Sequence, residues 1–471
     1  MRRGSAAAVV AASVIAGTLL PAVPAAAVHG AVPGDFNGDG YRDLVLPVPG
    51  ADVTYFGNYE QAGAVVVLYG SANGVSATSR RQTISEVTPN IPGRPFERDQ
   101  FGTTTATADL NRDGYADLVV GSPHSIAERQ ITVIWGSRNG LTKGTRLPQP
   151  THHEDNGLDV AALSLGTGSK TKILVGGGDW TTVYKGPFAT GGSIGSRVET
   201  RTENSVSSVA LGDFNRSGSP DQVAFGASRP ELSGSPIMVN HGGTETWPEP
   251  LENGNGLIAA TGDVNGDGYP DLVVGDPLTP VTPGVDGETG GRVLVYRGSK
   301  NGITRAQTPE VITQETAGVP GTSEEGDAFG AGLTVADLNR DGAADIVVGA
   351  PFEAVGAAER TGTVTVIPGR RSGALGTGGY SFHQDTAGVP STNESGDFFG
   401  TTVSAGDLNR DGRPELIVGT AGENNGNGAV FVLPGGSSRP TGTGSRVFTL
   451  ESIGMAQADG WLGGKGLLRL L

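Results

Sequence analysis

The sequence predicts an all-β protein, a seven-bladed β-propeller of four-stranded antiparallel blades closed by the C-terminal strand. Three observations carry this expectation. One acid-rich stretch recurs six times, and each copy feeds an apolar run. The copies are spaced so that a seventh unit fits between two of them. The composition is rich in turn formers, with 78 glycines and 29 prolines, and helical periodicity is absent after the first segment.

The clearest copy of the stretch reads DVNGDGYPDLVVG, from Asp263 to Gly275. Asp263, Asn265 and Asp267 alternate, Gly268 follows, and Asp271 closes the set. Oxygen side chains at positions 1, 3, 5 and 9, with a glycine at 6, suit a hard cation such as Ca²⁺. Alternate side chains can converge, and the glycine allows the sharp turn. The other copies place Asp35, Asn37, Asp39 and Asp43; Asp109, Asn111, Asp113 and Asp117; Asp213, Asn215 and Asp221; Asp337, Asn339, Asp341 and Asp345; and Asp407, Asn409, Asp411 and Glu415. These are the expected metal ligands. Ser217 stands at the fifth position of one loop and Glu415 at the ninth of another, so those two sites should bind more weakly or in altered geometry.

A helix–loop–helix calcium site is excluded. It needs a bidentate Glu at position 12 and a helix after it. Position 12 here is Leu46, Val120, Ala224, Val274, Val348 or Val418, and none can ligate. The segments that follow are short, β-branched and bounded by Gly or Pro, so each loop reads as a turn between two strands.

Each loop sits in a longer unit. An aromatic-glycine pair precedes it at Phe101-Gly102, Phe329-Gly330 and Phe399-Gly400. A Gly-x-Pro follows it at Gly121-Ser122-Pro123, Gly275-Asp276-Pro277 and Gly349-Ala350-Pro351. A further strand then ends in glycine, as in AVVVLYG at 64–70 and RVLVYRG at 292–298. The loops start at 35, 109, 213, 263, 337 and 407. The gap between 109 and 213 is too long for one unit, and LSLGTGSKTKILVGG within it looks like a loop and strand stripped of acids. The third repeat, about 157–200, is therefore expected to lack a metal loop. Units of this kind bury their faces only against neighbours, which points to a propeller. A β-solenoid is the alternative, but its repeats are usually shorter and more uniform.

The ends suggest how the ring closes. The first loop begins too early to have its own aromatic-glycine strand, and DGWLGGKGLLRLL at 459–471 supplies one. Trp461 would take the aromatic place, with Leu462 where glycine should be. Residues 1–27 read as a signal peptide: Arg2 and Arg3, an apolar run from Ala6 to Leu20, and a small-residue site at Ala25-Ala26-Ala27. The mature domain is expected over 28–471, secreted, with no later stretch apolar enough to span a membrane.

There is no cysteine, which removes disulfides, a thiol nucleophile and cysteine-bound zinc. Bound calcium could supply the missing staple, since a ligand specific to the folded state stabilises it. The net charge is −16, and the six loops hold seventeen of the acids. The acidity is thus local ligand charge, and it argues against nucleic acid as a partner.

Phe-Gly, the acid loop and Gly-Ala-Pro in fixed order resemble the FG-GAP repeat of the integrin alpha-chain propeller, and the exported bacterial proteins that carry similar repeats. The resemblance covers essentially 33–471. It implies seven blades with calcium in the loops that match the motif. The residues by which integrins contact their ligands have no match here.

No catalytic set emerges. His29, His124, His152, His153, His241 and His383 show no metalloprotease spacing. His152-His153-Glu154-Asp155 lies in a polar connector and reads as solvated. Gly191-Gly192-Ser193-Ile194-Gly195 lacks the strand-to-helix setting of a nucleophile elbow. Tyr69, Trp135 and Tyr296 end strands and read as buried in the blades. The function expected is a secreted, calcium-binding, monomeric module that presents loops non-catalytically to an extracellular protein or glycan. The alternative is a carbohydrate- or phospholipid-cleaving enzyme on the same scaffold.

Overall fold

A computed structural model describes residues 30–471 apart from 125–129, 153–156, 203–205, 207, 226–232, 242–246, 456–458 and 469–470. The expected leader at 1–27 lies outside the described residues. Seven antiparallel sheets follow one another along the chain, together with one two-stranded ribbon, Val53–Thr54 with Asn58–Tyr59. Six sheets have four strands in the order of the sequence. Blade 1, for example, runs Val32–Gly34, Asp43–Val48, Ala64–Leu68 and Arg81–Ile84, and blade 6 runs Gly332–Ala336, Asp345–Ala350, Thr363–Ile367 and Tyr380–Phe382. Blades 2, 3, 5 and 7 occupy Thr104 to Arg146, Asp159 to Arg201, Ile258 to Ile312 and Phe399 to Phe448, and the described strands of blade 4 run from Val209 to Asn240. Blade 4 has three strands among the described residues; the Leu251 N–H donates to Ile237 O as Leu147 does to Ile131 O in blade 2, where the outer strand belongs.

The second strand of each blade is the most buried, because it is covered on both faces by neighbouring blades. Asp345–Ala350 is buried at every position, as are Asp43–Val48 and Asp117–Ser122. That is why these strands read as continuous apolar runs and do not alternate. There are seven apolar clusters, and each lies between two adjacent blades. Phe36, Val45, Leu118 and Ile134 join blades 1 and 2, and Leu338, Val347, Leu416 and Phe431 join blades 6 and 7. The cluster of Leu44, Leu46, Ile417 and Val430 joins blade 7 back to blade 1 and closes the ring.

The two flanking motifs recur together because their glycines are packed against each other. The Phe329 N–H donates to Gly290 O of blade 5 at 2.8 Å, while the Gly330 N–H donates to Gly349 O of blade 6 at 3.1 Å. A Cβ on Gly275 would lie 2.1 Å from Gly330 O, and one on Gly349 2.0 Å from Gly400 O. The Phe-Gly pairs of blades 6 and 7 are thus wedged against the Gly-x-Pro of the blades before them.

Closure differs from the sequence expectation in detail. Val32–Gly34 already forms the innermost strand of blade 1, and no strand forms within 459–471 among the described residues. The C-terminal segment contributes the missing Phe-Gly element instead. The Leu462 N–H donates to Asn427 O of blade 7, and the Gly463 N–H to Pro47 O of blade 1. Leu462 is fully buried in the closing cluster. The register is therefore one residue later than the sequence suggested, with Leu462-Gly463 in the place of Phe-Gly. Trp461, at φ 53°, occupies the left-handed position held elsewhere by Ala328 and Phe398, both at φ 60°.

Candidate metal centre

All six acid loops join the first strand of a blade to the second, so strand alternation places them on one face of the ring. They are built alike. In the Asp263 loop, Asp263 Oδ1 accepts from the Asp267 N–H at 3.0 Å and Oδ2 from the Gly268 N–H at 2.7 Å. Asn265 Oδ1 accepts from the same Asp267 N–H, and Asp267 Oδ1 from the Tyr269 N–H. The first and third side chains therefore converge on one backbone amide. The Asp109, Asp213, Asp337 and Asp407 loops repeat this with Asp113, Ser217, Asp341 and Asp411 as donors. In the Asp35 loop, Asn37 accepts from Asp39 as expected, while Asp35 Oδ1 accepts from Gly38. The turn needs a left-handed residue at position 4, where Gly38 stands at φ 71° but Arg112, Arg340 and Arg410 also adopt it.

The ninth acid lies below this rim. Asp43, Asp117, Asp271 and Asp345 begin the second strands and are buried, at most 1% exposed. One oxygen of each accepts from the backbone of position 2: Phe36, Leu110, Val264 or Leu338. The other accepts from the glycine that ends the third strand: Gly70, Gly136, Gly298 or Gly369, at 2.8–2.9 Å. This acid staples the loop to the far strand, a role the sequence reading missed. Glu415, one methylene longer, accepts from Leu408 and from Asn409 Nδ2.

Electrostatics tie the two levels together. Burial outweighs the amide donors and pushes Asp43 and Asp345 up to about 7 and Asp117 to about 8, and the first- and fifth-position acids add to the rise for Asp43 and Asp117. Burial also lifts Glu415 to about 7, with Asp407 and Asp411 contributing. Asp271 rises only to about 6, because Arg297 pairs with it at 3.3 Å.

Protein cations lie beside several loops: Arg297 pairs with Asp271, and the half-buried Arg42 is drawn to Asp407 and Asp35. Beside the Asp213 loop, the buried Lys172 ammonium of blade 3 donates to Pro220 O and faces Asp213 and Asp221; burial lowers it to about 8. Blade 3, whose loop between the first and second strands lacks acids, therefore lends a lysine to its neighbour. His241 Nδ1 lies 3.4 Å from Asp221 Oδ2.

Among the described residues no three acidic, histidine or cysteine side chains are gathered as a metal site. Each fully acidic loop offers two carboxylates and an amide at the rim, with a third carboxylate beneath. Every donor is a hard oxygen, the charge is crowded, and among the described residues no guanidinium or ammonium makes a hydrogen bond or ion pair with the acids of the Asp35, Asp109 and Asp337 loops. That chemistry fits Ca²⁺. The Asp213 loop fits it least.

The structure also places the residues that the sequence left outside a catalytic set. Tyr69, Trp135 and Tyr296 are buried, with Trp135 Nε1 donating to Thr145 Oγ1 and the Tyr296 hydroxyl to Asn253 O. His152 stacks on Trp180 at 3.8 Å; His153, Glu154 and Asp155 lie outside the described residues. Gly191–Gly195 is a turn between the third and fourth strands of blade 3, with no helix after it.

The ring, the repeated acid loops and the interlocked glycines define a class: a seven-bladed repeat propeller whose loops carry acid clusters on one face. Five stretches, 27–68, 101–132, 255–296, 329–367 and 399–433, match the FG-GAP repeat, and the chain is an FG-GAP β-propeller. The unmatched blades are blade 3, without an acid loop, and blade 4, with Ser217. Integrin alpha pat-2 of Caenorhabditis briggsae is 34% identical over 187 residues, 38% of this chain and 14% of that protein. Integrin alpha-5 of Xenopus laevis is 31% identical over 228 residues, 46% of this chain and 20% of that protein. Phosphatidylinositol-glycan-specific phospholipase D of Bos taurus is 31% identical over 165 residues, 35% of this chain and 18% of that protein. The chain thus spans a minor part of these relatives. The solved structure of the exotype rhamnogalacturonan lyase YesX aligns over 86% of this chain and 71% of that one, at 14% identity and a TM-score of 0.40.

Proposed function

We propose that the chain is a secreted, calcium-stabilised binding module that engages an extracellular protein or glycan through the face opposite the acid loops. One observation carries this. Among the described residues, five large apolar side chains are exposed: Tyr55, Phe56, Val87, Val281 and Val311. Four of them lie in connections between second and third strands or between blades, which open on that opposite face. Phe56 is 98% exposed at the tip of the small ribbon and packs edge-on against Tyr55. Loops held on a rigid scaffold are the usual place for recognition.

The acid loops would serve the scaffold. The first, third and fifth side chains would hold Ca²⁺ at the rim, and the ninth acid would be neutralised from above. The crowded, raised carboxylates support this reading. The similarity to integrin alpha chains supports a binding role, and the leader-like residues Arg2 to Ala27 support export. The match to a phospholipase D keeps a lipid- or polysaccharide-cleaving role as the second reading.

The test is a binding panel of glycans and extracellular matrix proteins, run with Ca²⁺ and with chelator. Capture of one ligand, lost on Phe56→Ser or in chelator, supports the module. Turnover of a phospholipid or polysaccharide with no stable capture overturns it in favour of the enzyme.

A further inference from the structure

Two connectors build the same polar site twice, on the face opposite the acid loops. Gln314 opens the connector between blades 5 and 6, Asp327 closes it, and Glu353 reaches in from the connection between the second and third strands of blade 6. Gln314 and Asp327 are each 4% exposed, and Gln314 Nε2 donates to Glu353 Oε2 at 2.6 Å. Between blades 6 and 7, Gln384, Asp397 and Glu423 take the same places, and Gln384 Nε2 donates to Glu423 Oε2. Gln384 is wholly buried and Asp397 is 4% exposed.

Two features of these sites have no explanation within the protein. Among the described residues, no lysine, arginine or histidine forms an ion pair with Asp327, Glu353, Asp397 or Glu423. The carbonyl oxygen Oε1 of both glutamines is buried and has no hydrogen-bond donor. Turning either amide over would bring that oxygen beside a carboxylate, an arrangement that is favourable only with a cation or a carboxyl proton between them.

Other blades show what such acids need on this face. In blade 5, Asp276 and Asp286 meet around Arg292, whose Nε lies 3.0 Å from Asp276 Oδ2 and Nη2 2.7 Å from Asp286 Oδ2. Between blades 1 and 2, Glu86 and Asp99 hold the connector positions of Gln314 and Asp327; burial and Asp99 push the Glu86 carboxyl up to about 8, and the Arg146 guanidinium offsets only part of that rise. A guanidinium therefore attends the acids at both of those places, and none does at the two glutamine sites.

We propose that Gln314–Asp327–Glu353 and Gln384–Asp397–Glu423 each bind one hard divalent cation such as Ca²⁺. Two carboxylates and an amide oxygen form a hard, all-oxygen donor set of matching charge. The cation does there what Arg292 does in blade 5. Burial raises Glu353 and Glu423 to about 7, and Asp327 or Asp397 beside them adds to the rise. Both glutamates are half-buried, so the remaining coordination positions face solvent. This inference goes beyond the acid loops and stands independently of them.

The test uses Mn²⁺ as probe on the full chain. Anomalous scattering from crystals grown with Mn²⁺ is expected to show a peak at each connector site, separate from any peak in the acid loops. Native mass spectrometry is expected to count two fewer Mn²⁺ ions on the Glu353→Gln/Glu423→Gln variant than on the wild type. No peak at either connector site, or an unchanged ion count, overturns the proposal. Peaks confined to the acid loops refute it while leaving the calcium-stabilised module intact, and peaks confined to the connectors do the reverse.

Discussion

Asp345→Asn separates the two jobs of an acid loop. Asp345 Oδ2 accepts from the Leu338 and Asn339 N–H groups, and Oδ1 from the Gly369 N–H and Asn339 Nδ2. Either orientation of an asparagine amide would turn its NH₂ toward two of these donors. Hydrogen bonds to a charged group contribute about 1.5–3 kcal/mol, and a buried donor left unpaired costs about 1–3 kcal/mol. A net loss of roughly 2–4 kcal/mol is expected, allowing for the partial protonation of an acid pushed up to about 7. At about 2.1 cal/mol/K of unfolding entropy per residue, a chain this long loses roughly 1 °C of Tm per kcal/mol. Thermal melting at pH 8 in chelator should therefore show a drop of about 2–4 °C. Asp341→Asn is the control: it keeps an Oδ1 to accept from the Ala343 N–H at the exposed rim. It should change the chelator melt by less than about 0.5 kcal/mol, yet weaken the Ca²⁺-induced rise. An Asp345→Asn variant that melts like the wild type in chelator would refute the stapling role. Equal losses for both variants in chelator would refute the division between rim and base.

Leu462→Ala should cost about 2–5 kcal/mol in a denaturant melt, because Leu462 is fully buried in the cluster that closes the ring. Deleting 459–471 should abolish the single cooperative transition. Gly349→Ala should fail to accumulate as folded protein in an expression and melting test, since its Cβ would lie 2.0 Å from a backbone oxygen. In chelator, the protein should lose stability as pH rises from 5 to 8. Burial raises Glu353 and Glu423 in the folded state to about 7, so their contribution is full below the unfolded carboxylate range and lost as pH passes 7. Glu353→Gln/Glu423→Gln should make that profile shallower, with Asp43, Asp117, Asp345 and Glu415, raised to about 7 or 8, supplying the remaining slope.

The blades were legible because a propeller writes its geometry into the chain. Second strands covered on both faces appear as apolar runs, and the glycines of Phe-Gly and Gly-x-Pro recur because a backbone oxygen fills the space of a side chain. The rim positions were legible for the same reason, since side chains at spacing two share one side of a turn. The stapling role of Asp43 and its equivalents was not, because their second partner lies in the third strand, 27 residues away for Asp43 and 24 for Asp345. The connector sites were half visible. TQETAGVPGTSEEGDAFG and HQDTAGVPSTNESGDFFG align Gln314 with Gln384 and Asp327 with Asp397. Glu353 and Glu423 come from a different part of the repeat, and only the fold brings them there. The closure register slipped by one because Trp461 is aromatic, whereas backbone hydrogen bonding, set by Gly463, decides the alignment.

The claim on which the rest depends is that the acid loops of this ring are completed by a cation. Scanning calorimetry of the chelated protein, titrated with Ca²⁺, tests it most directly. The account predicts a Tm that climbs with Ca²⁺ and falls back on adding chelator, with the climb reduced by Asp341→Asn. A melting temperature indifferent to Ca²⁺ and chelator would contradict it.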